Sequence, residues 1–499
     1  MNQVLLLVPI LLPILGGAGM MLIPEPDRKA RPLLIEGIVI LNSIILCAII
    51  LTGYGRDEGY LLFSVASSLE VIFRVDGMGI VFSGLVAFLW PLATLYALEY
   101  MEHDDNQNNF FAFYTMTYGV TVAIAFSGNL VTMYLFYEVL TLVTFPLVLH
   151  YRTRESRKAS QTYLFYSIGG AACAFISMVF VLNHGSTSDF ILGGVLTQGV
   201  NAGEINLTLA MFILGFFGFG VKAAVFPLHK WLPAASVAPT PVTALLHAVA
   251  VVKSGAFAIL RLTYYSYGAD FLRGTWAQYL MAFFVMFTIV YGSTMGVKEI
   301  HFKKRLAYST ISNLSYILLG AVMMCPLGLV AALTHLVFHA IMKICAFFCA
   351  GAVMHKADRH YVYELDLLGH RMPVVFACFT VAGLSLTGIP LFAGFISKWN
   401  IVQAALSNGG KLSYIAVAVL LYSAAMTGIY TMTVVVRAFW PKKDVAAVVL
   451  EGQKDFASVK DPTWKMLLPL VVFVVLIFYF GIHPDGVVSI FRMVAEGVL

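Results

Sequence analysis

The sequence predicts an all-α polytopic membrane protein with about fourteen transmembrane helices. Two observations predict it first. Hydrophobic residues make up 60% of the 499 and charged residues only 11%, against about 25% charged in an ordinary soluble domain. A soluble chain this apolar could not cover its own surface, so lipid is the solvent for most of it. The second is the recurrence of apolar runs long enough to span a bilayer. They fall at about 3–23, 32–53, 78–98, 109–127, 129–150, 160–183, 207–227, 241–263, 276–297, 306–325, 327–353, 373–397, 412–436 and 464–482.

A third observation is how Lys and Arg divide between the loops. The odd-numbered loops hold 20 of them, the even loops and termini 5. Arg28, Lys29 and Arg31, then Arg152, Arg154, Arg157 and Lys158, then Lys303, Lys304 and Arg305 decide the split. The positive-inside rule then puts the odd loops in the cytoplasm and both termini outside. Met1–Ile23 lacks the basic start of a signal peptide and reads as a retained first helix. Two connections are longer. Tyr54–Gly77, with alternating residues around Phe73-Arg74-Val75-Asp76, predicts a hairpin; Arg437–Pro462 predicts an extramembrane loop.

Several function classes are excluded. A net charge of +5, carried by loops, gives no nucleic-acid footprint. No polar stretch is long enough for a soluble catalytic domain. Cys47, Cys173, Cys325, Cys345, Cys349 and Cys378 sit in or beside apolar runs and read as small buried hydrophobes, without a disulfide framework. No quinone, flavin, haem, iron–sulfur or metal motif is visible, so no cofactor is expected.

The chemistry lies in ionisable residues inside the spans. Arg261 and Lys465 fall near run ends, where they can snorkel. Lys222, Lys253, Lys343 and Lys398 lie deeper. Each costs at least about 2.5–3.5 kcal/mol at a helix centre. Glu138 reads as the one deep carboxylate, and one acid cannot neutralise four lysines. Some lysines are therefore expected to be neutral part of the time and to exchange protons. The bland alternative, one static Glu138–lysine pair, leaves the other lysines unexplained.

His335, His339 and Lys343 are spaced i, i+4, i+8, one face of one helix. Ser309, Ser312 and Tyr316 on the preceding run can join them through water. A proton relay fits this row; satisfied polar contacts are the plainer reading, and a zinc pair lacks a third ligand. His247 and Lys253, six residues apart, point about 120° from each other and serve different neighbours. Prolines 227, 233, 239 and 241 follow Lys222; Gly388, Pro390 and Gly394 precede Lys398. Two broken helices, each with a lysine, suggest an internal repeat with an ion site in each half; ordinary proline kinks are the alternative.

These residues also carry a family resemblance. Gly220-Val-Lys222-Ala-Ala-Val-Phe-Pro227-Leu-His229-Lys-Trp231-Leu-Pro233, followed by Ala238-Pro-Thr-Pro-Val-Thr-Ala-Leu-Leu-His247, closely resembles the signature of the antiporter-like subunits of respiratory complex I, Mrp cation/proton antiporters and membrane-bound hydrogenases. Leu306–Ser312, His335–Lys343 and Gly388–Lys398 resemble further motifs, and the likeness covers about 70–485. It implies fourteen helices with helices 4–8 and 9–13 as inverted five-helix repeats. The expected divisions are 1–106, 107–263, 264–437 and 438–499.

The resemblance also implies roles. Glu138 looks like the fifth-helix acid with Lys222 as its seventh-helix partner, and His247 like the eighth-helix relay group. His335, His339 and Lys343 look like the central relay and Lys398 like the terminal site; Lys253 is a candidate relay member from its place in the eighth run alone, not from the resemblance. His301 stands where relatives usually carry an acid. The chain ends soon after the fourteenth run, so it looks closest to the medium-sized subunits, the Mrp D-type among them. The implied function is proton translocation, with or without Na+ exchange, in the inner membrane. Implied partners are other membrane subunits, including a paralogous antiporter-like one, with membrane lipid around them. The same module within a redox-driven complex, an NADH dehydrogenase or a hydrogenase, is the rival reading; a non-conducting structural module is the third.

Overall fold

Helices lie under all fourteen apolar runs. The computed structural model describes residues 3–22, 30–56, 58–66, 69–104, 106–196, 202–441 and 458–499. A short 3-10 turn at Gln3–Leu7 leads into α1 (Val8–Met20), followed by α2 (Ala30–Thr52), α3 (Gly77–Tyr100), α4 (Gln107–Ala125), α5 (Leu130–Val148) and α6 (Arg154–His184). Then come α7 (Ile205–Gly220), α8 (Thr240–Ala248), α9 (Val251–Arg261), α10 (Trp276–Lys298), α11 (Phe302–Val322) and α12 (Pro326–Ala357). The chain continues through α13 (Pro373–Thr387), α14 (Ala393–Asn408), α15 (Gly410–Phe439), α16 (Trp464–Ile482) and α17 (Asp485–Ala495). Among the described residues, ten helical stretches are long and apolar enough to cross a membrane. Residues 442–457, most of the long polar connection, lie outside the described residues.

The hairpin expected in Tyr54–Gly77 is present. Strand β1 (Tyr60–Ala66) pairs antiparallel with β2 (Leu69–Phe73), in a register that sets Tyr60 opposite Phe73 and Ser64 opposite Glu70. Asn129 caps α5 by accepting from the Thr132 N–H at 2.8 Å, and its amide donates to the Glu70 carbonyl at 2.8 Å. The cap thus ties the hairpin to the start of α5. Asp76 caps α3 in the same way, accepting from Gly79 at 2.9 Å.

The interior is organised around α12. Its apolar stretch is buried throughout, as is that of α8–α9, whereas α2, α15 and α16 expose most of theirs. A helix surrounded by protein places its polar side chains where neither lipid nor bulk water reaches them. Such groups must find partners on neighbouring helices.

Two runs break. The seventh ends as helix at Gly220; the chain turns through Ala224, whose φ is +54°, and resumes helix at Trp231–Ala234. The twelfth does not stop at 397. It is two helices, α13 and α14, split where Gly388 (φ +93°) and Leu391 (φ +76°) take left-handed conformations around Pro390. The second half carries Lys398, Trp399, Asn400 and Gln403, which dilute its apolar signal. The eighth run also breaks, between α8 and α9 at Val249–Ala250, and a π turn at Leu262–Tyr267 follows Arg261.

Candidate functional site

Lys222, His247, Lys253, His335, His339 and Lys343 are fully buried, and Lys398 nearly so at 8% exposure. The breaks decide where the outer lysines reach. Lys398 lies on the second turn of α14 and donates to the carbonyls of Leu386 at 2.7 Å and Thr387 at 3.0 Å. Those carbonyls lie in the last turn of α13, the negative end of a helix dipole. Gly388 lets the lysine pass: a Cβ there would lie 2.9 Å from its Cδ. The ammonium also lies 5.1 Å from the Tyr316 ring.

Lys222 sits in the turn after α7. Its ammonium donates to the backbone carbonyl of Tyr137 and lies 3.4 Å from the centre of that residue's ring. The Tyr137 hydroxyl donates to the Phe219 carbonyl at 3.1 Å, tying α5 to the end of α7. Glu138 is the next residue. Among the described residues no Glu138–Lys222 ion pair forms; the two interact at longer range, and Glu138 Oε1 is buried without a hydrogen-bond partner. The static pair weighed above is therefore not the arrangement seen.

The centre is formed by α9, α11 and α12. Lys253 Nζ lies 2.6 Å from His339 Nδ1. The His339 ring stacks near His335, with centroids 5.6 Å apart, and His335 Nδ1 lies 2.9 Å from the Ser397 hydroxyl, beside Lys398 in sequence. Lys343 donates to Ser309 at 2.7 Å, and Tyr430 donates to the same hydroxyl at 2.6 Å. Ser309 thus joins the row directly, while Tyr316 packs edge-on against His335 at 5.2 Å. Lys222 is brought close to α9 by Gly255, where a Cβ would lie 2.9 Å from that of Lys222. His247 packs on Phe347 at 4.8 Å, and neither ring nitrogen has a hydrogen-bond partner. Lys253 and His247 do serve different neighbours, and Lys253 holds the central position.

One reading of the sequence is overturned, and two gain detail. Arg261 does not snorkel: it is fully buried, forms a two-pronged ion pair with Asp76, and is ringed by Phe190, Phe257 and Tyr265 at 4.7–5.0 Å. Its place at a run end gave the wrong answer because Asp76, the cap of α3, and the loop bearing Phe190 close on that end. Besides Glu138, two acids lie within helices: half-buried Glu36 in α2, and Glu99 in the last turn of α3, paired with Lys356 at 3.2 Å. Lys303, read as part of a cytoplasmic cluster, is buried and donates to the Ala238 carbonyl at 2.9 Å. Only the approach of the Ala238 loop reveals this, and no sequence pattern signals it. Beside it, burial together with Lys303 and Lys304 pushes His301 down to about 4, so that histidine is neutral at physiological pH. Among the described residues no three metal-ligating side chains gather.

The family model described as NADH:quinone oxidoreductase/Mrp antiporter membrane region matches residues 127–427, and the model of the N-terminus of complex I chain 5 matches 63–111. This chain belongs to that family. A Staphylococcus haemolyticus protein named as antiporter subunit mnhA2 is 29% identical over 83% of this chain and 52% of its own length. NAD(P)H-quinone oxidoreductase subunit 5 of Chara vulgaris chloroplasts is 30% identical over 95% of this chain and 73% of its own. The chain thus spans between about half and three quarters of these two relatives. Among solved structures, chains of the Mrp complex of Dietzia sp. DQ12-45-1b and of respiratory complex I from Thermus thermophilus superpose with TM-scores of 0.83 and 0.81. Both are 19% identical; the matches cover 99% of this chain and 97% and 100% of theirs. They establish a shared fold, that of a multi-pass α-helical membrane protein.

Proposed function

We propose that this chain translocates protons as a membrane subunit of a multisubunit complex, along a buried row from Glu138 and Lys222 through Lys253, His339, Lys343 and His247 to His335 and Lys398. The observation that carries the reading is the Lys253–His339 contact of 2.6 Å. It joins two helices at a point where both partners are sealed from lipid and bulk water. Two bases sharing one proton, with hydroxyls of Ser309, Ser397 and Tyr430 at the next positions, can pass that proton on by small side-chain movements.

Helices 4–8 and 9–13 acting as two inverted repeats would give each half a broken helix that carries a lysine, Lys222 in one and Lys398 in the other. The excess of basic residues on the odd loops favours both termini outside, and the inner membrane is the location that the family reading implies. Exchange against Na+ and a paralogous antiporter-like neighbour are the finer expectations for an Mrp-type setting.

A redox-driven complex is the second reading, and the match of residues 63–111 to the complex I chain 5 N-terminus favours it. The mechanism within this chain is the same; the partners differ. A non-conducting structural module leaves the buried ionisable groups without a role. The test is Lys222→Ala, measured as pH-gradient formation in inverted vesicles with assembly followed separately. The proposal expects an assembled complex without transport; near-normal transport would remove Lys222 from the path.

A further inference from the structure

Outside the central row, α2, α3 and α4 enclose a second group of buried polar side chains. Arg31 at the start of α2 donates to Gln107 at the start of α4 at 2.8 Å. Farther along the same two helices, Ser43 and Tyr118 share a hydrogen bond of 2.8 Å. Arg31 to Ser43 is twelve residues and Gln107 to Tyr118 eleven, so the helices run parallel in near-constant register. Gln107, Tyr114 and Tyr118, at spacings of seven and four, share one face of α4. Between the two bonded ends lie Glu36 on α2 and Tyr114 on α4, close enough to interact electrostatically. Trp90 of α3 closes the third side, stacked on Tyr118 at 4.8 Å and edge-on to Tyr114 at 5.7 Å.

Several atoms here are buried without a hydrogen-bond partner: Glu36 Oε2, both amide atoms of Asn42, Trp90 Nε1, the Tyr114 hydroxyl and the Thr115 hydroxyl. Asn42, Trp90, Tyr114 and Thr115 are fully buried. Asn42 lies beside the Tyr118 hydroxyl, and Thr94 beside that of Tyr114. So many unmatched groups at membrane depth is costly unless something satisfies them. They include both donors and acceptors. A bare cation would satisfy the Glu36 and Asn42 oxygens but would oppose the Trp90 and Asn42 N–H groups. Water satisfies both kinds.

We propose that α2, α3 and α4 form a second, hydrated proton-binding site, with Glu36 as the group that takes up the proton and Asn42, Tyr114 and Tyr118 as its hydrogen-bonding wall. Among the described residues no ion pair forms with Glu36: α1 brings no ionisable side chain, and Arg31 donates to Gln107. The ionisable residues of α3 are engaged elsewhere, Tyr96 with the Phe348 carbonyl, Glu99 with Lys356, and Tyr100 with Thr240. Glu36 is half-buried, with Oε2 sealed from solvent, and a carboxyl set among hydrogen-bonding groups and water can hold a proton and hand it on through that water. The site is separated from the central row by α3, so it stands apart from the transport reading above.

The experiment is infrared difference spectroscopy of the whole complex in lipid, comparing wild type with Glu36→Gln at neutral pH. The site predicts a protonated-carboxyl signal that Glu36→Gln removes and that responds to exchange into heavy water. Superimposable spectra would overturn it. Asn42→Leu and Tyr118→Phe serve if the glutamine variant fails to assemble: each must displace the signal, and an unmoved signal counts against the wall. A signal abolished by added sodium at fixed pH would identify a cation site and overturn the proton assignment.

Discussion

Replacing Lys253 by Met separates the structural from the functional role of the central contact. The substitution keeps the length of the side chain and removes its ammonium. It deletes one hydrogen bond to His339, in a site where charge-assisted bonds are worth about 1.5–3 kcal/mol. It also removes the burial of a cation, which costs at least about 2.5–3.5 kcal/mol at membrane depth. The two terms nearly cancel, so stability should stay within about 2 kcal/mol of wild type, with either sign. Transport should not be spared, because His339 loses the group with which it shares a proton. A fall of at least about tenfold is expected, equivalent to about 1.4 kcal/mol on the limiting barrier. The assay is proton pumping in inverted vesicles, normalised to assembled complex, alongside a thermal melt in detergent. A variant with wild-type transport would refute the place of Lys253 in the path. A variant that unfolds would show that the lysine is chiefly structural.

Two further predictions follow from the same geometry. Glu138→Gln should block transport without loss of assembly, because Glu138 acts on Lys222 through charge at a distance, and Glu138→Asp should keep partial activity; measured per assembled complex, a glutamine variant equal to wild type would contradict this. Asp76→Asn should destabilise the complex by about 3–5 kcal/mol, since it strands the buried Arg261 guanidinium, and Asp76→Asn with Arg261→Met should recover much of that loss in a thermal melt; a single variant as stable as wild type would sink the argument.

Much of this architecture was legible because lipid imposes a simple rule. A helix must be apolar over about 20 residues to span, and every such run proved helical. The hairpin at Tyr60–Phe73 was legible from its alternation. The row His335, His339 and Lys343 was legible because its spacing repeats that of the helix. What the sequence hid depends on tertiary approach. Lys253 and His339 are 86 positions apart, and no local pattern announces their contact. Arg261 looked free to snorkel because Asp76 and Phe190, which enclose it, lie far away in sequence. Glu36 was passed over inside a run whose hydropathy is among the highest in the chain, where one acid barely lowers the average. The split of the twelfth run at Gly388 was legible in kind, from Gly388, Pro390 and Gly394, but not in extent, since α14 is too polar to register as a span.

The central claim is that the buried row works as one conductor, and a mutant cycle across α12 tests it most directly. Proton transport per assembled complex would be measured for His339→Ala, Lys343→Ala and the double variant. Links in one path fail together, so the double variant should be no worse than the worse single, a strongly non-additive result. Losses that multiply, with each single retaining substantial transport, would mean that the two side chains act independently and that the row is not a shared path.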